Sequence, residues 1–145
     1  METLLVIHGP NLNLLGRRKP EVYGEQSLDE INLKIEKKAK ELGLKAEFYQ
    51  SSHEGEIVNK IGDSSAGALI INPAAFTHTS VAIRDALEVF SGFVVEVHLS
   101  NIFAREDFRR KSLTAAESDG IISGFGPLSY VLAVEAAGRL LSKKE

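Results

Sequence analysis

Short aliphatic runs recur along this chain, and a segment with helical signals follows almost every one. Leu4-Leu5-Val6-Ile7 stops at Gly9-Pro10, Ala68-Leu69-Ile70-Ile71 closes at Asn72-Pro73, and Phe93-Val94-Val95-Glu96-Val97 runs into His98. Runs this short and this apolar read as strands buried on both faces, the pattern of a parallel sheet covered by helices on each side. Leu44 to Tyr49 reads as a further strand, and Gly120 to Phe125 as the last. Ser27-Leu28-Asp29-Glu30 has the form of a capping box. Leu28, Ile31, Ile35, Ala39 and Leu42 then repeat at helical spacing as far as Gly43. Residues 54–62 and 80–90 read as helices, and Pro127 suits the first position of a final helix ending near Leu141.

Strands alternating with helices over 145 residues predict a single α/β domain spanning residues 1–145. The natural architecture is flavodoxin-like, a five-stranded parallel sheet of order 2-1-3-4-5 with helices on both faces. In such a sheet the carboxyl ends of the strands share one edge, and ligands bind there. That edge should collect His8-Gly-Pro-Asn11, Asn72, Thr77-His78-Thr79-Ser80 and His98-Leu99-Ser100-Asn101. Two loops, residues 9–26 and 99–119, are longer than the architecture needs. Both carry arginines, among them Arg17, Arg18, Arg105 and Arg109, which suits lids over a small anion.

Composition narrows the chemistry. With no cysteine, disulfides, thiolate nucleophiles and Cys-bound metals are excluded, and the cytoplasm is the fitting compartment. The N-terminal apolar run is too short for a signal peptide, and no stretch reaches transmembrane length, so no membrane partner is expected. A net charge of −3 argues against nucleic acid as the partner. His8, His53, His78 and His98 lack metal-ligand spacing, so no metal is expected. His8 reads as a satisfied core histidine and His53 as surface. Ser80 and Ser100 lie outside any nucleophile elbow and read as backbone caps. No phosphate-binding glycine motif occurs, and Gly124-Phe125-Gly126 reads as tight packing at the entry to the last helix.

Two residues suggest proton transfer. Tyr23 follows Arg18 by five residues in one loop, and a neighbouring guanidinium favours tyrosinate, a credible general base. In Glu96-Val97-His98 the strand alternation puts both polar side chains on one side. A carboxylate there would fix the histidine tautomer and keep the ring protonated enough to donate.

Taken together, these segments resemble the type II dehydroquinases (3-dehydroquinate dehydratases) over nearly the whole chain. The stretches that carry the resemblance are His8 to Arg18, Glu21 to Gly24, Asn72 to Ser80, Arg84-Asp85, Glu96 to Asn101, Ala104 to Arg109 and Gly124 to Gly126. The resemblance implies cofactor-free anti elimination of water from 3-dehydroquinate to give 3-dehydroshikimate through an enolate, on the route to aromatic amino acids. Neither a metal nor a Schiff base takes part. By the same resemblance Tyr23 is the base, Arg18 promotes its ionisation, and His98 protonates the leaving hydroxyl. Asn11 helps hold a water near the enolate oxygen. Asn72, His78 and Arg109 bind substrate hydroxyls, Leu99 and Ser100 hold the carboxylate, and Arg105 belongs to the wall or lid. Asp85 reaches a neighbouring subunit's site in a homododecamer built as a tetramer of trimers. Phe76 and Phe103 depart from the family's frequent Tyr and His at those positions.

The alternative from another class is a flavodoxin-like, non-catalytic module for a small anion or a flavin. It accounts for the arginines and leaves Tyr23 and His98 without a role. Within enzymes, the runner-up is another cofactor-free lyase acting on a related hydroxy-keto acid.

Overall fold

The computed structural model describes residues 1–17, 19–23 and 25–144, with Pro20, Tyr23 and Lys144 described in backbone only. The strands are β1 (Thr3–His8), β2 (Lys45–Gln50), β3 (Ala68–Asn72), β4 (Phe93–His98) and β5 (Gly120–Ser123). They form one parallel sheet of order β2-β1-β3-β4-β5, as the sequence pattern requires. The helices are α1 (Pro20–Tyr23), α2 (Leu28–Glu41), α3 (Glu54–Asp63), α4 (Val81–Val89) and α5 (Leu128–Lys144).

The two-residue alternation of the strands sorts the core into two layers. Leu4, Val6, Ile70, Val95 and Val97 pack with Ile31 and Ile35 of α2 and Ala133, Val134 and Ala137 of α5. Leu5, Ile7, Leu69, Ile71 and Val94 pack with Ile57 and Ile61 of α3 and Ile83 and Leu87 of α4. Burial of both strand faces explains why the strands read as continuous aliphatic runs.

The same alternation continues into the polar strand ends. His8 and Asn72 are paired neighbours in register, two residues beyond Val6 and Ile70, and therefore face the α2/α5 layer. Glu96 and His98 lie out of phase with Val95 and Val97, and face the α3/α4 layer.

Local details depart modestly from the sequence reading. The loop over residues 9–26 contains a 3-10 turn at Leu12–Leu14 and the short helix α1. Residues 99–119 fold into 3-10 turns at Ile102–Ala104, Asp107–Arg109 and Ala115–Glu117. β5 stops at Ser123 because Gly124 adopts φ +105°. The last helix begins at Leu128, directly after Pro127. Ser27 caps α2 through its hydroxyl, which accepts from Glu30 N–H at 3.2 Å.

Candidate active site

The carboxyl edge of the sheet opens into a cavity of about 210 Å³. Asn72 and His98 reach it from β3 and β4, Leu99 and Ser100 from the turn after β4, and His78 from the 3-10 turn after β3. Asn11 and Leu12 close one side, and Arg105, Arg109 and Ile102 the other.

Close backbone packing holds this edge together. Gly9 N–H donates to Asn72 O at 2.8 Å, and a Cβ on Gly9 would sit 2.6 Å from Pro73 O. Only glycine allows the β1 and β3 turns to approach so closely. Asn11 adopts φ 68°, a left-handed conformation that asparagine tolerates better than most residues. Gly124 N–H donates to His98 O at 3.2 Å and Gly126 N–H to Leu99 O at 2.9 Å. Both glycines have positive φ, and through these two bonds the Gly-Phe-Gly segment braces residues 98 and 99.

The centre of the α3/α4 side is a fully buried carboxylate. Glu96 Oε2 accepts from His98 Nε2 at 2.8 Å, Ser112 Oγ at 2.9 Å and Thr77 Oγ1 at 3.1 Å. Its Oε1 accepts from Thr114 Oγ1. Burial alone would raise the Glu96 pKa, but the His98 hydrogen bond and charge, with the Thr114 and Ser112 hydroxyls, outweigh it and hold the carboxyl below its ordinary value. An ionised carboxylate only accepts, so His98 Nε2 carries a proton. Among the described residues His98 Nδ1 has no hydrogen-bond partner, and the ring lines the cavity.

The long loop is tied to this centre at its base. Leu113 N–H donates to Thr77 O at 2.6 Å, and His78 Nδ1 donates to Lys111 O at 2.7 Å. With its Nδ1–H so engaged, a neutral His78 presents Nε2 as an acceptor. Arg109 Nε is held by Glu106 Oε2 at 2.8 Å, and Arg105 Nη1 donates to Ser100 Oγ at 3.3 Å.

On the α2/α5 side the groups that meet the ends of β1 and β3 are an amide and a phenol. His8 Nδ1 lies 2.9 Å from the Tyr130 hydroxyl and Nε2 lies 2.8 Å from Asn32 Oδ1. Burial pushes the His8 pKa from its ordinary 6.5 down to about 4, against a smaller opposing pull from the Asn32 hydrogen bond. His8 is thus the satisfied core histidine its sequence context suggests, and His53 is exposed.

The cavity therefore gathers Asn11, Asn72, His78, His98, Leu99, Ser100, Arg105 and Arg109 from the sequence expectation. Asp85 is exposed on α4 and does not line it. Arg18 and the Tyr23 side chain lie outside the described residues. Ser80 caps α4, accepting from Ile83 N–H at 2.9 Å, whereas Asn101 rather than Ser100 caps the turn at Ile102–Ala104. Sequence reading did not single out Ser112, Thr114, Asn32 or Tyr130. A signal existed for Tyr130 alone, since a tyrosine on the apolar face of a helix needs a partner for its hydroxyl.

The chain is similar to known proteins over nearly its whole length. Residues 2–138 match the family described as Dehydroquinase class II. The chain is 51% identical over 138 residues to a 3-dehydroquinate dehydratase of Thermoanaerobacter pseudethanolicus, covering 94% of this chain and 93% of that one. It is 50% identical over 141 residues to the 3-dehydroquinate dehydratase of Francisella philomiragia, covering 97% of each. The crystal structure of a type II dehydroquinase from Butyrivibrio crossotus superposes with a TM-score of 0.91 at 40% identity, covering 94% of this chain and 97% of that one.

Proposed function

The chain belongs to the class II dehydroquinase family and dehydrates 3-dehydroquinate, and from that premise we propose how its residues divide the reaction. The observation that carries the proposal is the Glu96–His98 pair at the cavity wall. The proton next to a ketone is weakly acidic, so its removal needs a base and a setting that stabilises the enolate. The second step expels hydroxide, a poor leaving group, and needs an acid. His98 fills the second role. Glu96 holds Nε2, and Nδ1 delivers the proton to the departing hydroxyl.

Tyr23 is the base, and Arg18 promotes its ionisation. The elimination is anti, which requires base and acid to act on opposite faces of the substrate. Asn72, His78 and Arg109 bind the substrate hydroxyls, and Leu99 and Ser100 hold the carboxylate. Asn11 positions a water near the enolate oxygen. Leu99 and Ser100 act through backbone N–H and hydroxyl donors, and the chemistry uses the chain's own groups, without a cofactor or metal.

Asp85 acts across a subunit boundary, in a homododecamer arranged as a tetramer of trimers. Exposed Ile121, Phe125, Leu128 and Leu132 support an assembled state, since large apolar side chains left at the surface favour contact with another chain. The enzyme works in the cytoplasm, a reading supported by the absence of cysteine; no described helix is long and apolar enough to cross a membrane.

The deciding assay follows ultraviolet absorbance of the conjugated product from 3-dehydroquinate, with chelator and borohydride pretreatments in parallel. Turnover unaffected by either reagent is the expected result. A folded, assembled protein that leaves the absorbance flat would remove the reading and favour a binding module. Tyr23→Phe should lower kcat by about 10²–10⁴-fold. Arg18→Ala should be more damaging than Arg17→Ala, and equal losses would move the role to the neighbouring position.

A further inference from the structure

Asn72 is one end of a buried line of polar groups that leads away from the cavity. Tyr130 of α5 accepts from Asn72 Nδ2 at 3.1 Å, and its hydroxyl lies 2.9 Å from His8 Nδ1. His8 Nε2 lies 2.8 Å from Asn32 Oδ1 on α2. The directions along this line are coupled. An amide oxygen only accepts, so Nε2 carries the ring proton and Nδ1 is a bare lone pair. The phenol must then place its single proton on Nδ1, which leaves its oxygen to accept from the Asn72 nitrogen. Asn72 Oδ1 is already engaged by Ala74 N–H at 3.0 Å. Turning the amide over would set oxygen against oxygen at Tyr130 and N–H against N–H at Ala74, so both hydrogen bonds would be lost.

We propose that His8 and Tyr130 are positioning residues for the reaction, fixing the Asn72 carboxamide so that its second N–H is offered to a substrate oxygen in the cavity. The proposal rests on the reading that the cavity receives 3-dehydroquinate. Burial keeps His8 neutral, which preserves the Nδ1 lone pair on which the direction depends. Phe48 stacks parallel to the His8 ring, with centroids 6.5 Å apart, and Tyr130 meets it edge-on at 5.3 Å. Aliphatic side chains could fill the same space without a hydrogen-bond requirement. What the polar line adds is a fixed orientation for one side chain in the cavity wall.

The test is steady-state kinetics on 3-dehydroquinate for the wild type, Tyr130→Phe, His8→Leu and His8→Gln, with a urea midpoint for each. Glutamine can accept from the phenol and donate to Asn32 at once, so it keeps the direction of the line. Leucine frees the phenol proton to turn toward Asn72 and favours the inverted amide. Tyr130→Phe and His8→Leu should raise KM about three- to tenfold, the effect of one hydrogen bond. Their kcat should change less than about threefold, because Asn72 holds substrate and transition state alike. His8→Gln should return KM toward the wild-type value.

An unmoved KM in Tyr130→Phe and His8→Leu, or a rise that glutamine does not rescue, would overturn the inference and reduce the line to packing. If Tyr130→Phe does not fold, the two His8 variants decide. If His8→Leu does not fold, Tyr130→Phe and His8→Gln decide. A folded wild type without turnover would overturn the substrate reading, and this inference with it. An active wild type with an unmoved KM in the variants overturns this inference alone.

Discussion

β1 and β4 both end in a buried histidine at the same edge of one sheet, but the two rings meet opposite surroundings. His8 faces the α2/α5 layer, between a phenol and an amide. His98 faces the α3/α4 layer, against a buried carboxylate that three hydroxyls also contact. The first set of partners holds a neutral ring in one tautomer. The second supplies an anion that can anchor a proton-bearing ring at the cavity. Residue type and strand position are shared, so the groups packed around each ring set its role: Glu96 of the same strand and the loop hydroxyls for His98, Tyr130 and Asn32 of the helices for His8.

The comparison makes its largest prediction at His98. Replacing it by alanine should lower kcat by about 10²–10⁴-fold, the range for losing a general acid, with the fold retained. His8→Gln should change kcat less than about threefold in the same assay. Comparable losses in the two variants would erase the distinction between the layers.

Glu96→Gln sharpens it. The variant keeps the shape but replaces an all-accepting carboxylate with a group that also donates. A fall in kcat on the order of 10²-fold is expected, at the low end for a lost acid because His98 remains. Unchanged turnover would show that His98 does not depend on its carboxylate.

The acid limb of stability separates the two sides by pH. His8 has a folded pKa of about 4 against an ordinary 6.5, so the unfolded chain binds the extra proton between those values. Its contribution is complete above pH 6.5 and is lost as pH falls toward 4, on the order of 3 kcal/mol in all. The lowered Glu96 pKa acts with the same sign further down, where stability present above the ordinary carboxyl value is lost on acidification. Urea unfolding from pH 7 to pH 4 should therefore show falling stability, and His8→Gln should flatten its upper part. An identical slope in the variant would assign the effect to other groups.

Thr114→Val is the smallest expected change. It removes one donor from the buried carboxylate, costing about 2 kcal/mol of stability, with kcat lowered only severalfold. A neutral substitution would show that the other hydroxyls suffice.

Much of this was legible in advance. The aliphatic runs at 4–7, 68–71 and 93–97 announce strands buried on both faces, and their order along the chain leads to the observed sheet. The Glu96-Val97-His98 alternation is a local rule, and the 2.8 Å contact follows it. The hydroxyls around Glu96 were not legible. Ser112 and Thr114 stand sixteen and eighteen residues from Glu96, in a loop without periodicity. Nothing local indicates that Leu113 N–H ties that loop to Thr77 O. Tyr130 lies 122 residues from His8, so their contact depends on α5 packing across the sheet.

By itself the sequence determined the periods: which segments form strands, which face each strand residue takes, and which polar residues reach the ligand edge. These follow from backbone geometry that repeats every two or 3.6 residues. Tertiary structure alone decided the partners that come from distant elements. A carboxylate with its ring of donors, or a phenol between an amide and an imidazole, arises only when distant elements pack. The free energy of a buried proton depends on the groups that surround it in space, whether they are near or far along the chain.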